Sequence, residues 1–196
     1  MDLARIKACI CEGAAEAAII DILLDNHLLI FQREDLLEEK VLLVRDGRTF
    51  ETRYLRKGFH EKISVIRILD SRRENFKLSK PYMSKVDVIN VITAPEIEML
   101  IVLNEGKYDA FKKSRKKPSE YCKTDLKMSN VKSYAFVSEY FQCPETLLRA
   151  IKMYDKVTKS RKDEYTLMDL LKLNNLVQST PPVRNQETTV PVKGKP

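Results

Sequence analysis

The acidic residues of this chain fall in a pattern that suits cation chemistry. Glu12 follows one apolar run, Asp46 a second, Asp70 a third, and Glu96 and Glu98 a fourth, with Glu16 one helical turn beyond Glu12. If the apolar runs are parallel strands, their carboxyl ends form one binding crevice, so Glu12, Asp70 and Glu98 converge although far apart in sequence. Carboxylates brought together repel unless a cation sits among them, and an all-oxygen set without His or Cys suits Mg2+ or Mn2+. A purely structural reading competes. Loops after strands are polar in any protein, and Glu16 and Glu96 would occupy first helical turns, where the helix dipole favours acids.

The elements that must position these acids are legible from hydrophobic patterning. Residues 5–11 alternate and then run apolar, as a buried strand does, and stop at Glu12-Gly13. Residues 14–31 place Ala15, Ala18, Ile19, Ile22, Leu23, Leu29 and Ile30 on one helical face, with His27 inside the helix. Residues 40–44, 62–69 and 86–92 read as three further strands, residues 49–57 are ambiguous, and Pro95 opens the next helix. After Gly106 the strand signals stop, and residues 118–127, 133–141, 144–157 and 164–173 read as helices. The sequence therefore predicts an α/β fold: a mostly parallel sheet flanked by helices, with further helices at the C-terminal end. The expected organisation is one domain over residues 1–175, with a core at about 5–125 and a helical extension at about 126–175. From residue 176 the composition turns to Gln, Ser, Thr, Pro and Lys, which predicts a disordered tail over 176–196.

Composition excludes several classes. No stretch approaches the ~20 nearly unbroken apolar residues of a membrane span, and no signal-peptide pattern opens the chain, so a cytoplasmic protein with no membrane partner is expected. Cys9, Cys11, Cys122 and Cys143 are read as free thiols, the first two filling space on one face of a strand. Cys-x-Cys is not a usual zinc spacing, and neither His27 nor His60 has a partner nearby. Nucleotide-cradling glycine loops are absent.

The net charge of +7 suits an anionic partner. Between Lys107 and Lys127 eight basic residues face three acidic ones, with Tyr108, Phe111 and Tyr121 interleaved. Phosphate contacts supply most non-specific nucleic-acid affinity, so Lys112, Lys113, Arg115, Lys116 and Lys117 are candidate contacts to DNA or RNA. A solvated helix face explains the same charges.

Ile10-Cys11-Glu12-Gly13-Ala14-Ala15-Glu16 resembles the opening motif of Toprim domains, where a strand ends in Glu-Gly and a second Glu follows four residues after the first, as in the OLD-family nucleases. Ile66-Arg67-Ile68-Leu69-Asp70 is similar to the later Toprim strand that ends in Asp-x-Asp. Pro95-Glu96-Ile97-Glu98 resembles the Asn-Pro-x-x-Glu segment of the RloB-like and OLD-like branch. The likeness covers roughly residues 5–125. It implies a compact Toprim-like, Rossmann-like fold and carboxylates that hold one or two Mg2+ or Mn2+ ions for phosphodiester hydrolysis, in a nuclease of the kind found in phage defence. Carried over, Glu12 would be the principal metal ligand or general base, Glu16 a second-metal ligand, Asp70 the central ligand and Glu98 the later acid, with Glu96 its substitute. The family's downstream catalytic lysine would be Lys123. OLD-family chains carry their own ATPase; none is seen in this sequence, so an ATPase partner would be a separate protein.

One departure stands out. Asp70-Ser71-Arg72 puts a cation where the second Asp is expected. Arg72, with Arg73 beside it, either contacts a substrate phosphate through its bidentate fork or marks a site that has lost a metal. The first keeps a nuclease. The second leaves a non-catalytic Toprim-like module that binds nucleic acid or protein.

Overall fold

Four apolar segments become strands in the computed structural model, which describes residues 1–56, 61–72, 75–158, 160–161 and 163–172. They are β1 (Ile6–Cys11), β2 (Leu42–Leu43), β3 (Ile63–Leu69) and β4 (Val86–Ile92). All pair in parallel, in the order β2-β1-β3-β4, with Ile10 opposite both Leu42 and Arg67, and Ile63 opposite both Ile6 and Val86. Central β3 is buried at every position, as expected for a parallel strand covered on both faces. From β1 the chain steps outward to β2 and then returns across β1 to β3. The order thus reverses between β1 and β3, which is where open α/β sheets place their binding crevice.

The two faces are covered unequally. Cys9 and Cys11 of β1 and Ile66 and Ile68 of β3 point into a thick helical layer. That layer holds α1 (Ala14–Asp25), α4 (Met99–Asn104), α7 (Tyr134–Tyr140) and α8 (Pro144–Val157). Within it α8 packs on α4 and α7 on α1. The α5 (Tyr108–Ser114) and α6 (Pro118–Thr124) helices pack at its edge. The C-terminal helices therefore share the sheet's own core. On the opposite face Ala8, Ile10, Ile63 and Val65 meet a thin layer built on Phe50, Leu55, Phe76 and Leu78. This layer includes α2 (Gly47–Phe50), which widens into a helical turn over Glu51–Leu55, and α3 (Lys80–Met83). Residues 49–57, ambiguous in sequence, are thus helical up to Leu55. No helix among the described residues is long and apolar enough to cross a membrane.

Three sequence expectations are corrected. The first helix ends at Asp25: the Asn26 backbone N–H and side-chain amide both donate to the Ile22 carbonyl, and His27 takes a left-handed φ of 54°. His27 is therefore outside the helix, and Leu29 forms an isolated bridge with Leu171. Pro95 does not open a helix. Residues 95–98 form a turn, and α4 begins at Met99 with Glu98 as its N-cap. Residues 164–172 are not a long helix: Tyr165 bridges to Val91, Leu167–Leu170 form one tight turn, and Leu171 meets Leu29. The four cysteines are free, with Cys9, Cys11 and Cys122 buried. His60 and the expected tail over 176–196 lie outside the described residues.

Gly47 opens α2 where the backbone of Lys77 passes closely. A Cβ at this position would lie 2.2 Å from the Lys77 carbonyl oxygen. Main chain cannot yield as a flexible side chain can, so Gly47→Ala is expected to destabilise by about 1–3 kcal/mol. Urea unfolding followed by circular dichroism checks this; an unchanged midpoint would contradict the close approach.

A candidate acidic cleft at the switch point

Beyond the carboxyl ends of β1 and β3 lies a cleft of about 340 Å³, lined by Glu12, Glu16, Asp70 and Glu98 together with Arg45 and Lys132. Each side chain is delivered by a different local device. Glu12 is the first residue past β1, and Asp70 the first past β3. Gly13 caps α1 in an extended conformation, which sets Glu16 in the first helical turn. A Cβ on Gly13 would come within 2.6 Å of Glu16 Oε2, so the glycine makes room for that carboxylate. Glu98 comes from the cap of α4. Lys132 follows buried Val131 and precedes Ser133, whose hydroxyl caps α7 by accepting from the Phe136 N–H at 3.2 Å. Arg45 stands two residues past β2.

The four metal-ligand candidates therefore line one cleft, and two of them are deeply set: Glu16 is 8% and Glu98 4% exposed. Burial pushes the Glu98 carboxyl up to about 7, with Glu96 and Glu16 adding repulsion and Lys132 opposing it. Burial likewise raises Glu16, and nearby Asp70 adds to the shift. Lys132 experiences the converse. Burial would lower its ammonium, but Glu98 and Glu96 outweigh that and raise it.

Glu96 turns away from the cleft lining. Its carboxylate accepts from the Ser119 N–H at 2.9 Å and from Lys132 Nζ at 3.3 Å. Burial alone would raise its carboxyl, but these two partners hold it below the usual range. The register left open between Glu96 and Glu98 thus places Glu98 in the cleft and Glu96 behind it. Lys123 is exposed on α6 and does not line the cleft; the lysine there is Lys132. Asp46 caps α2 through the Thr49 N–H at 2.8 Å. The fork of Arg72 is closed on Glu164, at 2.6 and 3.1 Å, so a phosphate contact by Arg72 is not the arrangement seen. Arg73 lies outside the described residues.

The basic stretch forms the surface of the α5 and α6 pair. Lys112 and Lys113 occupy the last turn of α5, where cations also complement the helix dipole. Arg115 follows in a left-handed conformation and Lys117 caps α6. Lys116 is engaged by Asp125 at 2.7 Å. The interleaved aromatics are structural: Phe111 packs edge-on against buried Tyr121, with ring centroids 5.5 Å apart.

Sequence reading missed three cations. Arg67, in the middle of β3, is 1% exposed, lies 4.7 Å over the Phe76 ring and reaches 3.8 Å from Glu12 Oε1. An arginine inside a strand buried on both faces was itself the available signal. Lys132 and Arg45 carry no local mark, because only the fold brings them to the cleft.

The donor chemistry fits a hard divalent cation. Among the described residues no three acidic, His or Cys side chains converge tightly enough to enclose an ion. Mg2+ does not need such a cage, since it keeps several waters and is bound through one or two carboxylates plus substrate oxygens. The fold and cleft together define an open parallel α/β protein with a mixed acid and base site at its switch point. No protein-family model, curated protein or solved structure matches this chain.

Because folding raises the Glu98 carboxyl, its destabilising contribution is absent below about pH 4.5, grows as pH rises from there toward about 7 and levels off above it. Glu98→Gln removes that cost. In metal-free buffer the variant is expected to melt several degrees higher than the wild type at pH 8, corresponding to at most about 3 kcal/mol, and to match it near pH 4.5. Thermal melts across this range check the prediction; a variant less stable at pH 8 would contradict it.

Proposed function

We propose that the protein is a metal-dependent phosphodiesterase of nucleic acid, a nuclease of the Toprim type in the OLD-like and RloB-like branch, with a role such as phage defence. The observation that carries this reading is the meeting of Glu12, Glu16, Asp70 and Glu98 in one cleft at the switch point. Glu12 and Asp70 are the residues that would hold Mg2+ or Mn2+, with Glu16 and Glu98 on either side of them. When bound, the ion would supply Lewis acidity and would make water a better nucleophile at neutral pH.

The chain's own groups have distinct tasks in this scheme. Glu12, steadied by Arg67, would hold the ion or, with the ion on Asp70, would instead take a proton from the attacking water. Lys132 fills the role expected of Lys123: its ammonium lies in the cleft, where it neutralises charge on the phosphate oxygens. Lys112, Lys113, Arg115 and Lys117 hold more distant phosphates by charge alone, which makes binding salt-dependent.

Arg72 favours a second reading. It stands where the family has a carboxylate, and a non-catalytic binding module would tolerate that. The two readings separate in one experiment: incubation of end-labelled single-stranded DNA, duplex DNA and tRNA with Mg2+, Mn2+ or EDTA. Under the nuclease reading, cleavage requires metal and falls at least 100-fold in Glu12→Gln and in Lys132→Ala. Salt-dependent binding with no cleavage under any metal supports the binding module, and cleavage that survives Glu12→Gln overturns the assignment of Glu12.

A further inference from the structure

The sheet order fixes how charge is laid out across the cleft. From one flank to the other run Arg45 after β2, Glu12 and Glu16 after β1, Asp70 after β3, and Glu98 beyond β4, while Lys132 enters the lining from the segment before α7. Carboxylates line the middle, and Arg45 stands at the β2 end. Three strand spacings separate the flanks, roughly 14 Å. The two cations of the lining differ in how they are held. Lys132 is bonded to Glu96. Arg45 is exposed, and no carboxylate of the described residues pairs with it. Arg67, which also lies near the acids, is buried beneath Glu12 and out of reach of a ligand. Arg45 is thus a cation on the rim of an acidic cleft with its planar fork uncommitted, the arrangement suited to bidentate recognition of a phosphate.

Depth adds a constraint on the ligand. Glu16 and Glu98 are almost fully buried, so a phosphate reaching them must descend into a cleft of about 340 Å³. Duplex DNA is stiff over about 150 base pairs and keeps its backbones on the outside of paired bases, so it cannot follow that path without opening. An unpaired strand can bend in and let its neighbouring phosphates rest on the rim, as in positively lined single-strand grooves.

We propose that Arg45 is a phosphate-contacting residue and that the cleft takes one unpaired nucleic-acid strand laid across the strand ends from the β2 flank to the β4 flank. The inference rests on the phosphodiesterase reading and narrows its substrate to single strands. A strand so laid has one phosphate on Arg45, the next over the carboxylates and a further one toward Lys132. Specificity for an unpaired strand then comes from cleft depth, and its register from Arg45.

The test is fluorescence anisotropy with a labelled single-stranded oligonucleotide and the same sequence as a duplex. It uses the full chain carrying Glu12→Gln to prevent cleavage, in Mg2+ and again in EDTA, over a salt series. The expected result is at least tenfold tighter binding of the single strand. Adding Arg45→Glu weakens single-strand binding at least tenfold and makes the salt slope shallower by about one phosphate contact. Arg45→Gln reproduces most of that loss, while Lys80→Glu, the same charge change on α3 at the far end of the sheet, alters affinity less than twofold. Single-strand binding that is unchanged by both Arg45 variants overturns the role of Arg45 alone. Equal or tighter duplex binding overturns the single-strand assignment. Failure to bind either nucleic acid, in both buffers, overturns the phosphodiesterase reading as well.

Discussion

Carboxylates held at the end of a buried parallel sheet repel one another and resist desolvation, and much of this chain is arranged around that constraint. Arg67 lies beneath Glu12, with its guanidinium over the face of Phe76. Burying that arginine is costly in itself, and an aromatic face with a nearby carboxylate is the kind of environment that offsets the cost. Lys132 is drawn to Glu96 and feels Glu98 and Asp70. Burial also pushes the Glu98 carboxyl up to about 7, which lessens the charge the cleft carries in mildly acidic solution. A cation entering the cleft would add to the same compensation.

The cleft is held from behind by the thick helical layer. Glu96 anchors the turn before α4 to the start of α6 through the Ser119 N–H, while Glu98, two residues on, faces the cleft. The Tyr154 hydroxyl of α8 donates to the Ala94 carbonyl in the same loop. One short segment is therefore tied to two helices and to Lys132 while it presents Glu98 to the cleft. Acids fixed on strand ends and helix caps keep their relative positions better than acids on long loops. The same tie sets the start of α6 beside the segment that carries Glu98, although these parts are separate in sequence.

Legibility in the sequence followed the range of the forces involved. β1, β3 and β4 were readable almost to the residue because Ile and Val runs bounded by polar residues carry their own signal, and α8 because Pro144 and the spacing of Leu147, Leu148, Ile151 and Tyr154 are local. The end of α1 was not readable, since it depends on a left-handed His27 and on Leu29 finding Leu171 across the fold. Residues 164–172 have helix-like apolar spacing, yet they pair through Tyr165 and Leu171 with distant backbone. The acids of the site were legible because strand-end position marks them. Their cationic partners were not: Lys132 and Arg45 are two among 35 basic residues, and only the tertiary fold brings them to the cleft.

Arg72 is best understood through the segment it holds. Its fork closes on Glu164, whose carboxyl it keeps below the usual range, and the Arg161 N–H donates to the same carboxylate. The next residue, Tyr165, accepts from the Ile92 N–H and so lies along β4. Arg72 therefore straps the exit of β3 to the C-terminal segment that covers part of the sheet edge. A carboxylate at position 72 would face Glu164, lose both bonds and repel the segment. The acid expected there by likeness to Toprim domains is thus incompatible with this chain's C-terminal strap. What the strap removes is one carboxylate out of several, and an ion that keeps most of its water can be served by those that remain at β1, β3 and the cap of α4.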